Sequence, residues 1–223
     1  MRYYLAVLAL SAFTAELRAS DHDTSRVAPF KYAWGQAYHV LPETHNRESG
    51  YFSLSEGLNG RVYVGTTKYG VNSYLVEFDP KTEKQRIVID THSLCGLGIT
   101  TKKEAQSKLH TRNFVGPSGK IYFGTKQGYK SDEEQEKEKR GEEIPVYEGG
   151  YVFVYDPETD TTENLGMLMP LTDEMIADGK VEGQGVIDVT ADESRGLIYV
   201  ITCHEQHWML YNMKTKKYRE LGP

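Results

Sequence analysis

Apolar and polar residues alternate in short runs along most of this chain, and the runs return as a phrase. GRVYVGT (60–66) is followed by YLVEFDPKTEKQRIV (74–88), KIYFGT (120–125) by YVFVYDPETDTTENLG (151–166), and GLIYVIT (196–202) by WMLYNMKTKKYRELG (208–222). A period of two sends successive side chains to opposite faces of an extended strand. Turn residues sit at fixed places within each copy: LNG and DPKT, then PSG and DPET, then DESRG and NMKT. Pro after Asp presets the second residue of a type I turn, and the Asp carboxylate accepts from backbone ahead of it. Four strands fit each copy; in the first they are expected near 51–54, 61–66, 73–78 and 85–89.

Short antiparallel strands, four to a unit and repeating every few dozen residues, predict an all-β fold, a β-propeller of four-stranded blades. A sandwich accommodates the alternation but gives no reason for the same phrases to recur in register. The copies place blades at 51–90, 110–166 and 182–223. Closed propellers use roughly four to eight blades, so about three blades imply a partial propeller. A truncated reading frame is the expected cause, with an open three-blade fragment and closure by oligomerisation as rivals.

Outside the copies the pattern changes twice. Residues 1–19 begin with Arg2 and the apolar run LAVLALSAF (5–13), too short to span a bilayer. They read as a secretory signal peptide cleaved after Ala15 or Ala19, against the alternative of a buried first helix. Residues 20–50 form a polar linker in which 30–41 has the alternation of one further strand. No later segment is apolar enough to cross a membrane, so the expected location is secreted or periplasmic. The second change is an insertion at 130–148, between the second and third strands of the middle copy. Residues 131–143 hold seven acidic side chains against three basic ones. That composition suits a solvated helical turn or two, with a lid over a site as the alternative.

The formal net charge of −6 is concentrated in this insertion, and no basic cluster with interleaved aromatics occurs; no nucleic-acid partner is expected. GxSxG, P-loop and dinucleotide fingerprints are also missing from the sequence. Covalent catalysis and nucleotide chemistry are therefore disfavoured, and no cofactor is required.

In a propeller, the loops joining strands two and three share a face with the links between blades. Sorting polar residues by that rule gathers Tyr69, Asn72, His92, Cys95, His110, Arg112 and Asn113 on one rim. Lys126, Gln127, Tyr129, Cys203, His204, Glu205 and His207 fall there too. His110 suits a general base near neutral pH. Arg112 suits a bidentate carboxylate clamp, and Tyr129 a proton donor. His204 and His207 are further proton-transfer candidates; Tyr69, Asn72, Asn113 and Lys126 are candidates for substrate binding. The bland alternative is that Arg112 pairs with a neighbouring carboxylate and His110 caps a loop. Cys203, His204 and His207 are ligand types suited to a structural zinc, with Cys95 or His92 to complete four. Their spacing falls on a hairpin, so helix-borne HExxH mechanics do not apply. A Cys95–Cys203 disulfide, permitted in an exported chain, competes with that use.

The GxhYhGT and hDPxT phrases resemble the repeats of secreted bacterial propellers of the kelch, YVTN and streptogramin-lyase-like kind. The resemblance covers roughly 51–222 and is specific to architecture. Several secreted propellers of that superfamily are polysaccharide lyases, including those acting on ulvan and on oligogalacturonate. They use His, Tyr and Arg on one face, and some hold a structural metal through His and Cys. The resemblance implies action on an acidic, uronate-containing polysaccharide or oligosaccharide, by β-elimination. Arg112 or Lys126 would then neutralise the carboxylate, His110 or His204 remove the proton alpha to it, and Tyr129 or His207 protonate the leaving oxygen. A non-catalytic propeller binding a glycan or a protein through the same rim is the alternative, as is a remnant of a longer propeller.

Overall fold

The computed structural model describes residues 35–48, 53–96, 105–126, 132–143, 147–169, 172–177 and 183–223. The expected signal peptide and much of the linker lie outside them; the described part of the expected extra strand, 35–41, is irregular. The chain divides into one compact unit ending at His39 and a second running from Val40 to Pro223. All the strands among the described residues belong to the second unit.

Three antiparallel sheets form, each in simple meander order. The first holds β1 (Leu54–Glu56), β2 (Val62–Gly65), β3 (Tyr74–Asp79) and β4 (Lys84–Asp90). A short helix, α1 (Thr91–Cys95), leads to the second sheet. There β5 (Lys108–Leu109) and β6 (Phe114–Val115) both pair with β7 (Ile121–Lys126), followed by β8 (Tyr151–Asp156) and β9 (Thr161–Met167). The third holds β10 (Gly185–Asp192), β11 (Leu197–Cys203), β12 (Trp208–Asn212) and β13 (Lys217–Gly222). These are propeller blades, and the strands fall where the alternation places them.

The outer hairpins close by one device. Asp79, Asp156 and Asn212 each accept from a backbone N–H two residues on, at 2.9, 3.0 and 3.0 Å. The residue just before the outermost strand, Glu83, Asp160 or Lys216, then takes a left-handed conformation with φ of 57°, 54° and 55°. In the acidic insertion, α2 (Asp132–Lys139) is a surface helix with a Glu133–Lys137 ion pair one turn apart. A last short helix is α3 (Asp173–Ala177). None of these helices is long and apolar enough to cross a membrane.

The apolar core is two layers, one at each blade-to-blade contact. Tyr63, Leu75 and Ile89 of the first blade pack on Leu109, Ile121, Phe123, Phe153 and Tyr155 of the second. Tyr122, Val152 and Val154 of the second pack on Val186, Val189, Ile198 and Val200 of the third. The Gly of the recurrent Gly-Thr pair sets how close the sheets come. A Cβ on Gly65 would lie 2.6 Å from that of Leu109, and one on Gly124 would lie 2.5 Å from that of Val186. The equivalent position in the third blade is Ile201, on a half-exposed face with Tyr199.

Polar contacts lock the same two joints. Glu77, only 3% exposed, accepts from Arg61, Arg86 and the Tyr63 hydroxyl at 2.8, 2.7 and 2.8 Å. Arg86 continues into the second blade, to the Tyr155 hydroxyl at 3.0 Å and to Asp160. At the other joint Glu193 accepts from Ser118 and from the Tyr122 hydroxyl, the latter at 2.8 Å.

Candidate functional site

The inner strand of the second blade starts at Lys108, breaks after Leu109 and resumes at Phe114. Side chains hold the break open. Thr111 Oγ1 accepts the Gly124 N–H at 3.0 Å where a strand carbonyl would otherwise stand. Asn113, 3% exposed, turns inward: its amide donates to the Tyr63 carbonyl at 3.3 Å and accepts from Ser53 Oγ at 2.8 Å. Arg112, between these anchors, is exposed, and His110, just before them, is half-buried. Among the described residues Arg112 has no carboxylate partner, so the expected pairing with a neighbouring Asp or Glu does not occur.

Ladder register places Lys108 directly opposite Lys126. Lys108 is 8% exposed, and its backbone also bridges Thr67 of the first blade. Lys126 runs over Gly185 of the third blade, where a Cβ would come within 2.8 Å of its Cγ, and its ammonium reaches Cys203 Sγ at 3.0 Å. Three blades thus converge on two lysines. No carboxylate joins them among the described residues. Burial and then the Lys126 charge hold the Lys108 ammonium below its ordinary pKa. Burial, followed by the charges of Lys108 and Lys126, pushes His110 down to about 4. Its imidazole is therefore neutral at pH 7.

Behind the lysines lies a buried polar layer around Gln106, which is 1% exposed. Its side-chain amide donates to the Gly149 carbonyl at 2.9 Å and accepts from the hydroxyls of Thr125 and Tyr147 at 2.6 and 3.4 Å. The Gln106 backbone N–H donates to His92 Nε2 at 3.1 Å, an atom that accepts only in the neutral ring. His92 therefore serves the link between blades.

The third-blade hairpin is held differently. Gln184 accepts the backbone N–H groups of His204 and Glu205 at 3.0 and 2.9 Å, and Thr202 Oγ1 accepts that of His207 at 2.8 Å. His207 Nδ1 meets Glu220 at 2.6 Å, and its Nε2 meets Glu205 at 3.3 Å. The hydrogen bond to Glu220, helped by Glu205, holds its pKa above the ordinary histidine value. His204 is exposed.

The expected zinc set does not assemble. Cys203 pairs with Gly185 on the innermost strand, whereas the His207 ring lies against Glu220 on the outermost one. Among the described residues no three His, Cys, Asp or Glu side chains come together to hold a metal. Cys95 and Cys203 are thiols, so the competing disulfide is not formed either. Asn72 and Asn113, expected to bind substrate, are buried; the Asn72 amide donates to Asp90 at 2.8 Å, beside the start of α1. Tyr69 is half-buried, with its backbone N–H on Glu48. Gln127 and Tyr129 lie outside the described residues. Sequence reasoning missed Lys108, whose signal was the KL pair just before His110; only the ladder register puts it opposite Lys126.

No family model and no curated protein matches this sequence. Solved structures with a similar fold include the extracellular domain of a protein described as a one-component system from B. thetaiotaomicron, at 15% identity and a TM-score of 0.41. That match covers 73% of this chain and 16% of the other. An ulvan lyase of polysaccharide lyase family 25 shares 12% identity over 79% of this chain and 41% of its own, with a TM-score of 0.40. The β-propeller domain of the Trilobed protease from Pyrococcus furiosus shares 12% over 79% and 45%, with a TM-score of 0.34. The chain therefore spans less than half the length of each of these proteins. Likeness at this level concerns the fold alone.

Proposed function

We propose that the rim around the broken inner strand binds an acidic, uronate-containing polysaccharide or oligosaccharide. One observation carries this reading: Lys108, Lys126 and Arg112 cluster around a break in the strand with no carboxylate to match them among the described residues. Taking an ammonium out of water without a counter-ion is costly, and elsewhere in this fold buried charge is met in full, as at Glu77. An anionic ligand supplies what the rim lacks. The expected signal peptide would bring an exported chain to such polymers.

A second reading, β-elimination, rests on the place of His110, half-buried on the break beside Lys108 and Lys126, as the group that would take the proton. With the uronate carboxylate neutralised by the cations, the proton alpha to it passes to the imidazole. The ring carbon–carbon double bond forms as the bond to the glycosidic oxygen breaks, and that oxygen takes a proton from His204, His207 or Tyr129. Purified chain showing one cooperative melt is incubated with a panel of acidic polysaccharides, and the ultraviolet absorbance of unsaturated uronate products is followed. A signal lost in His110→Ala supports elimination. Salt-sensitive retention on acidic polymers without that signal supports binding alone. Neither retention nor turnover from the folded chain overturns both.

A further inference from the structure

Buried charge is treated in two opposite ways in this molecule. The Glu77 carboxylate, at the joint of the first two blades, meets two guanidinium groups and a tyrosine hydroxyl. Lys108 is buried to a similar degree, at 8% exposure, yet faces another lysine across the ladder. Like charges directly opposite one another on an antiparallel pair oppose the pairing. Lys126 ends on a thiol, a weak hydrogen-bond acceptor. The arrangement is also built with some care: Thr67, Gly185 and Cys203 come from the blades on either side, and the absence of a side chain at Gly185 makes room for the Lys126 stem.

We infer that Lys108 and Lys126 form a seat for one oxyanion, a carboxylate or a sulfate ester of an acidic sugar, gripped by both ammonium groups at once. The inference rests on the reading of this rim as an acidic-glycan site and names the group that binds there. A bound oxyanion turns the repulsion between the lysines into two charge-assisted hydrogen bonds. It also draws Lys126 from Cys203, because an oxyanion is a far better acceptor than a thiol. Arg112, exposed on the break, lies outside the seat and is free to meet a neighbouring residue of the same polymer. The thiol then becomes a built-in reporter: Cys203 is a free thiol beside the Lys126 ammonium, and a ligand held by that ammonium covers it.

The test uses the full chain carrying Cys95→Ser, so that Cys203 alone reacts, and measures its alkylation by iodoacetamide at constant ionic strength. Glucuronate and inorganic sulfate are the probes, with glucose as the neutral control. Several-fold slower alkylation with either anion, and none with glucose, is the expected result. Slowing by glucuronate alone assigns a carboxylate; slowing by sulfate alone assigns a sulfate ester. Lys108→Met should abolish the slowing, and Lys108→Arg, which keeps the charge if the Met variant does not fold, should retain it. Alkylation unchanged by both anions, or slowing that survives Lys108→Met, overturns the seat. Polymer retention or turnover with unchanged alkylation removes the seat and leaves the glycan reading standing. Protection by small anions without any engagement of polymers does the reverse.

Discussion

The tyrosine of each GxhYhGT phrase shows how one residue type is used three ways. Tyr63 finds its carboxylate within its own sheet, at Glu77; Tyr122, whose sheet offers Val154 in that place, takes Glu193 from the next blade. Tyr199 has Leu210 opposite it and stands half-exposed. Burial, reinforced by Glu77, raises Tyr63 to about 12, and burial with Glu193 raises Tyr122 further. Burial works to raise Glu193, but hydrogen bonds from Ser118 and Tyr122 overcome it and leave the carboxyl lowered. Its contribution is present above the unfolded pKa and is lost as pH falls through the folded one. Glu193→Ala should cost about 1–3 kcal/mol by leaving the Tyr122 hydroxyl unmatched, read from urea melts at neutral pH, with the deficit shrinking in acid. His110 has the opposite chemistry and a related outcome. Its folded value near 4 lies below the ordinary 6.5, so the unfolded chain takes up the proton first and stability falls as pH drops from about 6.5 toward 4. Melting temperatures of His110→Gln should be flatter across that window. Lys108→Met should raise stability by about 0.5–2 kcal/mol; a loss would show that the lysine is there for packing.

At the scale of elements, strands and turns were legible because period-two alternation and Asp-Pro-x-Thr punctuation are local. The break in the inner strand was not. HTRN reads as the polar start of a strand, and only Thr111 and Asn113 contacting Gly124 and Tyr63 reveal an interruption. Of the residues that the rim rule gathered, Lys126 and Cys203 come within 3.0 Å of each other. The rule could not say that Asn72 and Asn113 are turned inward, since an amide looks the same whether it serves a ligand or a carbonyl. Lys108 escaped because its meaning is its partner across the ladder, and register is set by tertiary contacts. The Gly of Gly-Thr was visible as a repeat, while its cause is the next blade's inner strand. Gly124→Ala should therefore cost about 1–3 kcal/mol or more by pressing on Val186. A thermal melt unchanged from wild type would show that the sheets have room to spare.

Across the whole molecule, stability resides in the joints, because both core layers lie between sheets. Arg86 ties the first joint by linking buried Glu77 to Tyr155 and Asp160. It is partly exposed and Arg61 remains to serve Glu77, so Arg86→Met should cost about 1–3 kcal/mol, less than loss of a lone buried partner. Hydrogen exchange should locate that loss at strands β2, β3 and β8, leaving the joint at Glu193 unchanged; uniform loss would mean that the blades unfold as one. The glycine spacers bear on geometry as well. At two joints a missing side chain lets neighbouring sheets close to the same narrow gap. Ile201 fills that place on the third blade, so a sheet laid there must stand off by the width of a branched side chain.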